Sequence, residues 1–114
     1  MSEEKNVVIL LRKPPHGTLY PVEGLRMSVA VSADFDPITI AINEGVYTFL
    51  KDTDKTMYSM HIEFLKNIGL DIYVDKKSLD ALGLTKDDLV EDVEVKEHGD
   101  ILKLIENSTV TIPF

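Results

Sequence analysis

Five short apolar runs recur along the chain, and each of the first four is followed by a stretch with helical spacing. The runs are Val7-Val8-Ile9-Leu10-Leu11, Ile38-Thr39-Ile40-Ala41-Ile42, Asp71-Ile72-Tyr73-Val74, Val93-Glu94-Val95 and Val110-Thr111-Ile112. The first two are continuous, as in strands covered on both faces of a parallel sheet. The last three are short and alternate, which suits positions nearer an edge. This β-α-β-α-β-α-β-α-β order predicts an α/β fold, a three-layer α/β/α sandwich around a five-stranded parallel sheet with right-handed crossovers. At 114 residues the expectation is one domain over 1–114, large enough to bury a core without a disulfide or metal staple.

The helical stretches carry their own punctuation. One is expected over Pro21–Phe35, with Pro21 at the first helical position and Val22, Leu25, Val29 and Ala33 on one stripe. Gly24 inside it costs about 1 kcal/mol against Ala, which implies close packing there. Gly45–Leu50 reads as a short helical turn. Lys55–Ile68 places Met57, Met60, His61, Phe64, Leu65 and Ile68 on one face, with Gly69 ending it. Met57 and Met60 read as core filler. The apolar arc is wider than one buried stripe needs, so Met57, Tyr58, His61 and Leu65 are the expected interface positions. Lys76–Leu82 has Asp75 as N-cap and Gly83 as stop, and Thr85–Asp88 has capping-box spacing. The last helix is expected over Gly99–Asn107, with Ile101, Leu102 and Ile105 facing inward.

Charge and missing residue types exclude whole classes of function. Twenty acidic residues against twelve basic ones give a net charge of −8, which opposes nucleic acid and anionic membrane as partners. Seven acids and two lysines fall between Lys86 and Asp100, a solvated edge or a docking face for a basic partner. There is no cysteine, hence no disulfide, no thiolate metal site and no thiol chemistry within this chain. Met1–Asn6 is polar and acidic, unlike a secretory signal, and Val7–Leu11 is too short to span a bilayer, so a cytoplasmic location is expected.

In an open α/β sheet, ligands bind beyond the carboxyl ends of the strands. Three segments fall there: Arg12-Lys13-Pro14-Pro15-His16-Gly17-Thr18, Asn43-Glu44-Gly45-Val46-Tyr47 and Val74-Asp75-Lys76. The first is stiffened by two prolines and carries two cations and a histidine, so it could hold an anion; it could equally be an ordered surface turn. It lacks the glycine spacing of phosphate loops. Candidate binding residues are Arg12, Pro15, His16, Gly17, Thr18, Glu44, Gly45, Tyr47 and Asp75, with capping as the plain alternative for Glu44 and Asp75. His61 reads as a core or interface histidine and His98 as a local one. No histidine pair has ligand spacing, so no metal and no cofactor is expected.

Several of these residues, in order, resemble a known family. Pro15-His16-Gly17-Thr18, Glu23-Gly24-Leu25, Glu44-Gly45-Val46-Tyr47, Leu50, Leu70-Asp71-Ile72, Val74, Ser78-Leu79, Gly83-Leu84, Val110, Ile112 and Phe114 together resemble the DsrE/DsrF-like sulfur-relay proteins, in their TusC/DsrF branch. The resemblance spans nearly the whole length. It implies a flavodoxin-like, DsrEFH-type sheet and assembly into trimers or hexamers with DsrE-like and DsrH-like chains. It further implies persulfide transfer towards 2-thiouridine in tRNA or within sulfur oxidation, with the carrier cysteine on the DsrE-like partner. A persulfide carrier needs a thiolate, and this chain has none. The expectation is therefore a non-catalytic subunit for assembly and partner docking, with Arg12 and His16 near a partner's thiolate. The alternatives are a stand-alone homo-oligomeric module holding a small anion or nucleotide in the strand-end crevice, and a thiol-independent enzyme using His16 with Glu44 or Asp75.

Overall fold

The structure, a computed structural model, describes residues 6–114. The first five residues of the polar N-terminal hexapeptide lie outside that range. Five parallel strands form one sheet: β1 (Val7–Leu11), β2 (Ile38–Ala41), β3 (Ile72–Asp75), β4 (Glu94–Lys96) and β5 (Val110–Pro113), in the order β4-β3-β2-β1-β5. Four helices connect them: α1 (Tyr20–Val31), α2 (Ser59–Asn67), α3 (Lys76–Ala81) and α4 (His98–Glu106).

The layering follows from chirality. A right-handed crossover moving one way along the sheet lies on one face, and a crossover moving back lies on the other. The chain takes three steps outward, from β1 to β4, and one return step to β5. Three helices therefore share one face and α4 alone covers the other. The buried side chains show this division. Val7, Ile9 and Leu11 of β1, with Ala41, Ile72 and Val74, pack on Leu25 of α1, Ile62 and Leu65 of α2 and Leu79 of α3. Val8, Leu10 and Ile40 pack on Ile101 of α4, with Leu104 and Ile105 alongside. The result is the three-layer α/β/α sandwich. Two of the three short alternating runs, β4 and β5, are the edge strands, whereas the third, β3, lies inside the sheet, paired with both β2 and β4. Pro113 lies on the β5 edge, and the Phe114 amide after it turns inward to the Leu10 carbonyl at 2.7 Å.

Close backbone approach fixes the β1 end of the sheet. Gly24 is buried where an added methyl would meet the Leu11 side chain and the Phe114 ring, as expected for a glycine inside a helix. Gly45 lies in the first turn of a 3-10 helix, Asn43–Phe49, against the Leu11 carbonyl, and a Cβ there would strike that carbonyl. The hydroxyls of Ser28 on α1 and Thr39 on β2 are both buried and satisfy each other at 2.8 Å.

Four expectations need correction. The first helix ends at Val31, and Ala33 lies exposed in the turn after it. The second begins at Ser59; Lys55 instead donates from its ammonium to the carbonyls of Leu50, Lys51 and Thr53, tying that loop together. Met57 and Met60 are not core filler: they are 65% and 72% exposed, and the core side of the segment is Tyr58, Ile62 and Leu65. Leu102 points outward, and Leu104 takes the inward place expected for it. The capping box at Thr85–Asp88 and the Asp75 N-cap are both present. No helix among the described residues is long and apolar enough to cross a membrane.

Two measurements test this packing. Gly45→Ala should lower the unfolding free energy by about 1–3 kcal/mol in urea titration, since the added carbon meets backbone that cannot rotate away. Gly99→Ala, where the space is open, should be neutral or stabilising by up to about 1 kcal/mol. Tyr58 donates its hydroxyl to the Thr48 carbonyl at 2.7 Å, and burial pushes its pKa up to about 12, with the Asp54 charge adding to it. The unfolded chain releases this proton near the ordinary value of 10.0, so stability holds below that pH and falls as pH rises towards 12. Alkaline unfolding curves should show that loss, and Tyr58→Phe should flatten it. Burial likewise raises Tyr73 to about 12, with Asp71 contributing, so part of the loss should survive in the variant.

Candidate functional site

The parallel sheet brings the carboxyl ends of all five strands to one rim. At that rim the chain leaves β3 into α3 on one face and leaves β4 into α4 on the other. The two connections diverge, which makes the β3–β4 junction a topological switch point, the position where open α/β sheets form ligand crevices. Asp75 ends β3 and His98 begins α4, so the junction draws them together from 23 residues apart, with His98 Nδ1 at 3.0 Å from Asp75 Oδ1. The Asp75 side chain is 2% exposed and that of His98 38%.

Asp75 is held from a second side. Its Oδ2 accepts from the Ser78 amide at 3.2 Å, the N-cap bond of α3, and from the Ser78 hydroxyl at 2.7 Å. The Ser78 hydroxyl in turn accepts the Asn43 amide at 2.8 Å. Asn43 adopts φ of +50°, a left-handed conformation that asparagine tolerates, and this turns its amide towards Ser78. A carboxylate only accepts, so the proton between Asp75 and His98 belongs to Nδ1. The Nε2 of His98 makes no hydrogen bond among the described residues and is open to solvent.

The proline-rich loop forms a separate feature. Pro15, His16 and Thr18 line a cavity of about 220 Å³ with Val22, Asp54 and Tyr58. Asp54 accepts the hydroxyl and amide of Thr56, and the hydroxyl bond above all holds its carboxyl below the ordinary carboxylate value. Arg12 is exposed, its amide bonded to the Phe114 carbonyl at 2.7 Å. Gly17, with φ of +74°, serves the turn itself, since nothing lies within 4 Å of where its Cβ would be. Glu44 is exposed in the first turn of the 3-10 helix, Gly45 is the buried approach to Leu11, and Tyr47 is half-buried. Pro15, His16 and Thr18 are thus brought together around one cavity. Arg12, Glu44 and Tyr47 are not among its lining, and Asp75 belongs to the β3–β4 junction. Among the described residues, no group of three or more His, Asp or Glu side chains is placed to hold a metal ion.

Of the four expected interface positions, Tyr58 and Leu65 are buried within this chain at 2% and 1% exposure and are not available to a partner. Met57 is exposed and His61 half-buried. Met60 and Phe64 of α2 and Ile68 just after it are exposed as well, with Met27 exposed on the neighbouring α1. The acidic run is partly consumed by structure: Asp88 closes the capping box, and Asp92 pairs with Lys66 at 2.7 Å.

This sheet order, rim and lack of thiols define a small doubly wound α/β protein without a sulfur nucleophile of its own. The chain belongs to the DsrE/DsrF-like family, which it matches over residues 5–114. It is 36% identical to the intracellular sulfur oxidation protein DsrF of Allochromatium vinosum, over 97% of this chain and 91% of that protein. It is 30% identical to a TusC homolog of Vibrio vulnificus, over 92% of this chain and 95% of that one. Its fold matches the crystal structure of the ychN protein of E. coli with a TM-score of 0.82 at 16% identity, covering 98% and 100% of the two chains. A protein of unknown function from Methanobacterium thermoautotrophicum matches with a TM-score of 0.71 at 21% identity, over 98% and 100%.

In sequence His98 carries only a local role, because nothing in residue spacing joins position 98 to position 75. The one usable signal was that both flank neighbouring strands at their carboxyl ends. Asp75→Ala should lower stability by about 1–3 kcal/mol in urea titration, through loss of the cap and of a partner for two donors. Ser78→Ala should cost less, about 1 kcal/mol.

Proposed function

We propose that this chain is a non-catalytic, cysteine-free subunit of a cytoplasmic persulfide-relay complex, serving assembly and partner docking. One observation carries the reading: a protein matched nearly end to end by a sulfur oxidation protein at 36% identity has no thiol. Sulfane sulfur moves by thiolate attack, so a chain without cysteine contributes to such a transfer only non-covalently. The carrier cysteine then belongs to a DsrE-like partner, with other DsrEFH-type chains completing a hetero-oligomer. The exposed Met60 and Phe64 of α2, with Met57 before it and Ile68 after it, support assembly, since they leave large apolar side chains open to solvent.

The test is affinity capture of the tagged full chain from its native cell, followed by native mass analysis. A stoichiometric cysteine-bearing DsrE-like chain is the expected result; a homo-oligomer alone would overturn the reading. Met60→Glu combined with Phe64→Glu should weaken the assembly at least tenfold while leaving the circular dichroism spectrum and unfolding midpoint of the free chain close to wild type.

A further inference from the structure

We infer that His98, oriented by Asp75, accepts the proton of a partner subunit's cysteine thiol at the rim where the chain leaves β3 and β4 to opposite faces, leaving the partner's sulfur as a thiolate. The inference rests on the relay reading and gives that reading a contact point.

Three observations at the junction carry it. First, the histidine is oriented. Ser78 occupies Oδ2 of Asp75 from both its amide and its hydroxyl, so Oδ1 is left to Nδ1 of His98. With the proton on Nδ1, the neutral ring presents its lone pair at Nε2, and Nε2 is the nitrogen open to solvent. A base whose far nitrogen is fixed by a buried carboxylate is the arrangement that nucleophile activation uses. Second, His98 is alone in this. Neither His16 nor His61 makes a side-chain hydrogen bond among the described residues, so neither ring is held in one orientation. Third, the pair stands where the chain diverges to opposite faces, the open end of the sheet rather than its packed interior.

The occupant follows from the chemistry. The chain contains no cysteine, and the Ser78 hydroxyl beside the pair is already committed to Asp75. The acidic group must come from outside, and in a sulfur relay that group is a thiol. The step is a proton transfer: the S–H bond of the partner's cysteine breaks, its electron pair stays on sulfur, and an N–H bond forms at Nε2. The ring's positive charge then faces the Asp75 carboxylate. No sulfur–sulfur bond forms or breaks on this chain.

Because the chain is cysteine-free, His98→Cys would give it a single reporter thiol. In the reconstituted complex, mild oxidation should join position 98 to the partner's cysteine by a disulfide, since that bond requires Cα atoms within roughly 7 Å. His16→Cys and His61→Cys, prepared alike, should not cross-link. In a second measurement, iodoacetamide alkylation of the partner's cysteine at neutral pH should slow about tenfold or more with His98→Gln. Asp75→Asn should slow it comparably, and His98→Gln, at a partly exposed position, stays informative if the buried Asn variant fails to fold. A cross-link at position 16 but not at 98, or an unchanged alkylation rate with His98→Gln in an assembled complex, would overturn the inference and leave the relay reading standing. Failure of any cysteine-bearing chain to assemble would remove the relay reading and this inference with it.

Discussion

Burial of β1 on both faces is the constraint around which the remaining elements arrange themselves. All five of its side chains are buried, three against the α1–α2–α3 layer and two against α4. A strand covered twice requires helices on both sides of the sheet, and hence a chain that reverses its direction of travel along it. Its last residue is the densest point. Leu11 packs its side chain at Gly24, admits Gly45 beneath its carbonyl and accepts the Ile42 amide at 2.9 Å. A side chain at Gly45 would meet the backbone of Leu11 and Arg12, and one at Gly24 would have to displace the Leu11 side chain and the Phe114 ring.

The same reversal creates the switch point. Handedness requires the return crossover to leave on the far face, so β3 and β4, adjacent and parallel, send the chain apart. The divergence of the two connections is a consequence of topology rather than of local sequence. Asp75 serves both sides of it, capping α3 with one oxygen and holding His98 at the start of α4 with the other. A residue that reads as a helix cap therefore also couples the two layers.

What the sequence made legible follows the range of each signal. The strands, the Asp75 cap, the Thr85–Asp88 box and the close approach at Gly24 rest on contacts within a few residues or on strong apolar runs, and all are present. The orientation of α2 was not legible. Its segment has two apolar arcs, Met57–Met60–Phe64–Ile68 and Tyr58–Ile62–Leu65, and helical periodicity reports both without saying which one meets the sheet. The start of α2 was hidden for a related reason: Lys55 looks like a surface helical residue, yet its ammonium is spent on three carbonyls of the preceding loop. The Asp75–His98 pair is tertiary, and only the sheet order brings it together.

The edge position of Pro113 decides how copies of such a sheet can meet. Amides alternate sides along a strand, and the Phe114 amide points inward to Leu10, so the imino nitrogen of Pro113 lies on the open side. The outermost strand thus lacks a donor where another chain's strand would seek one, while the opposite edge is three residues long and carries Glu94 and Lys96. Neither border invites the sheet to grow from one molecule into the next. The large apolar side chains left exposed on this molecule lie instead on its helix layer, Met60 and Phe64 of α2 and Met27 of α1 among them.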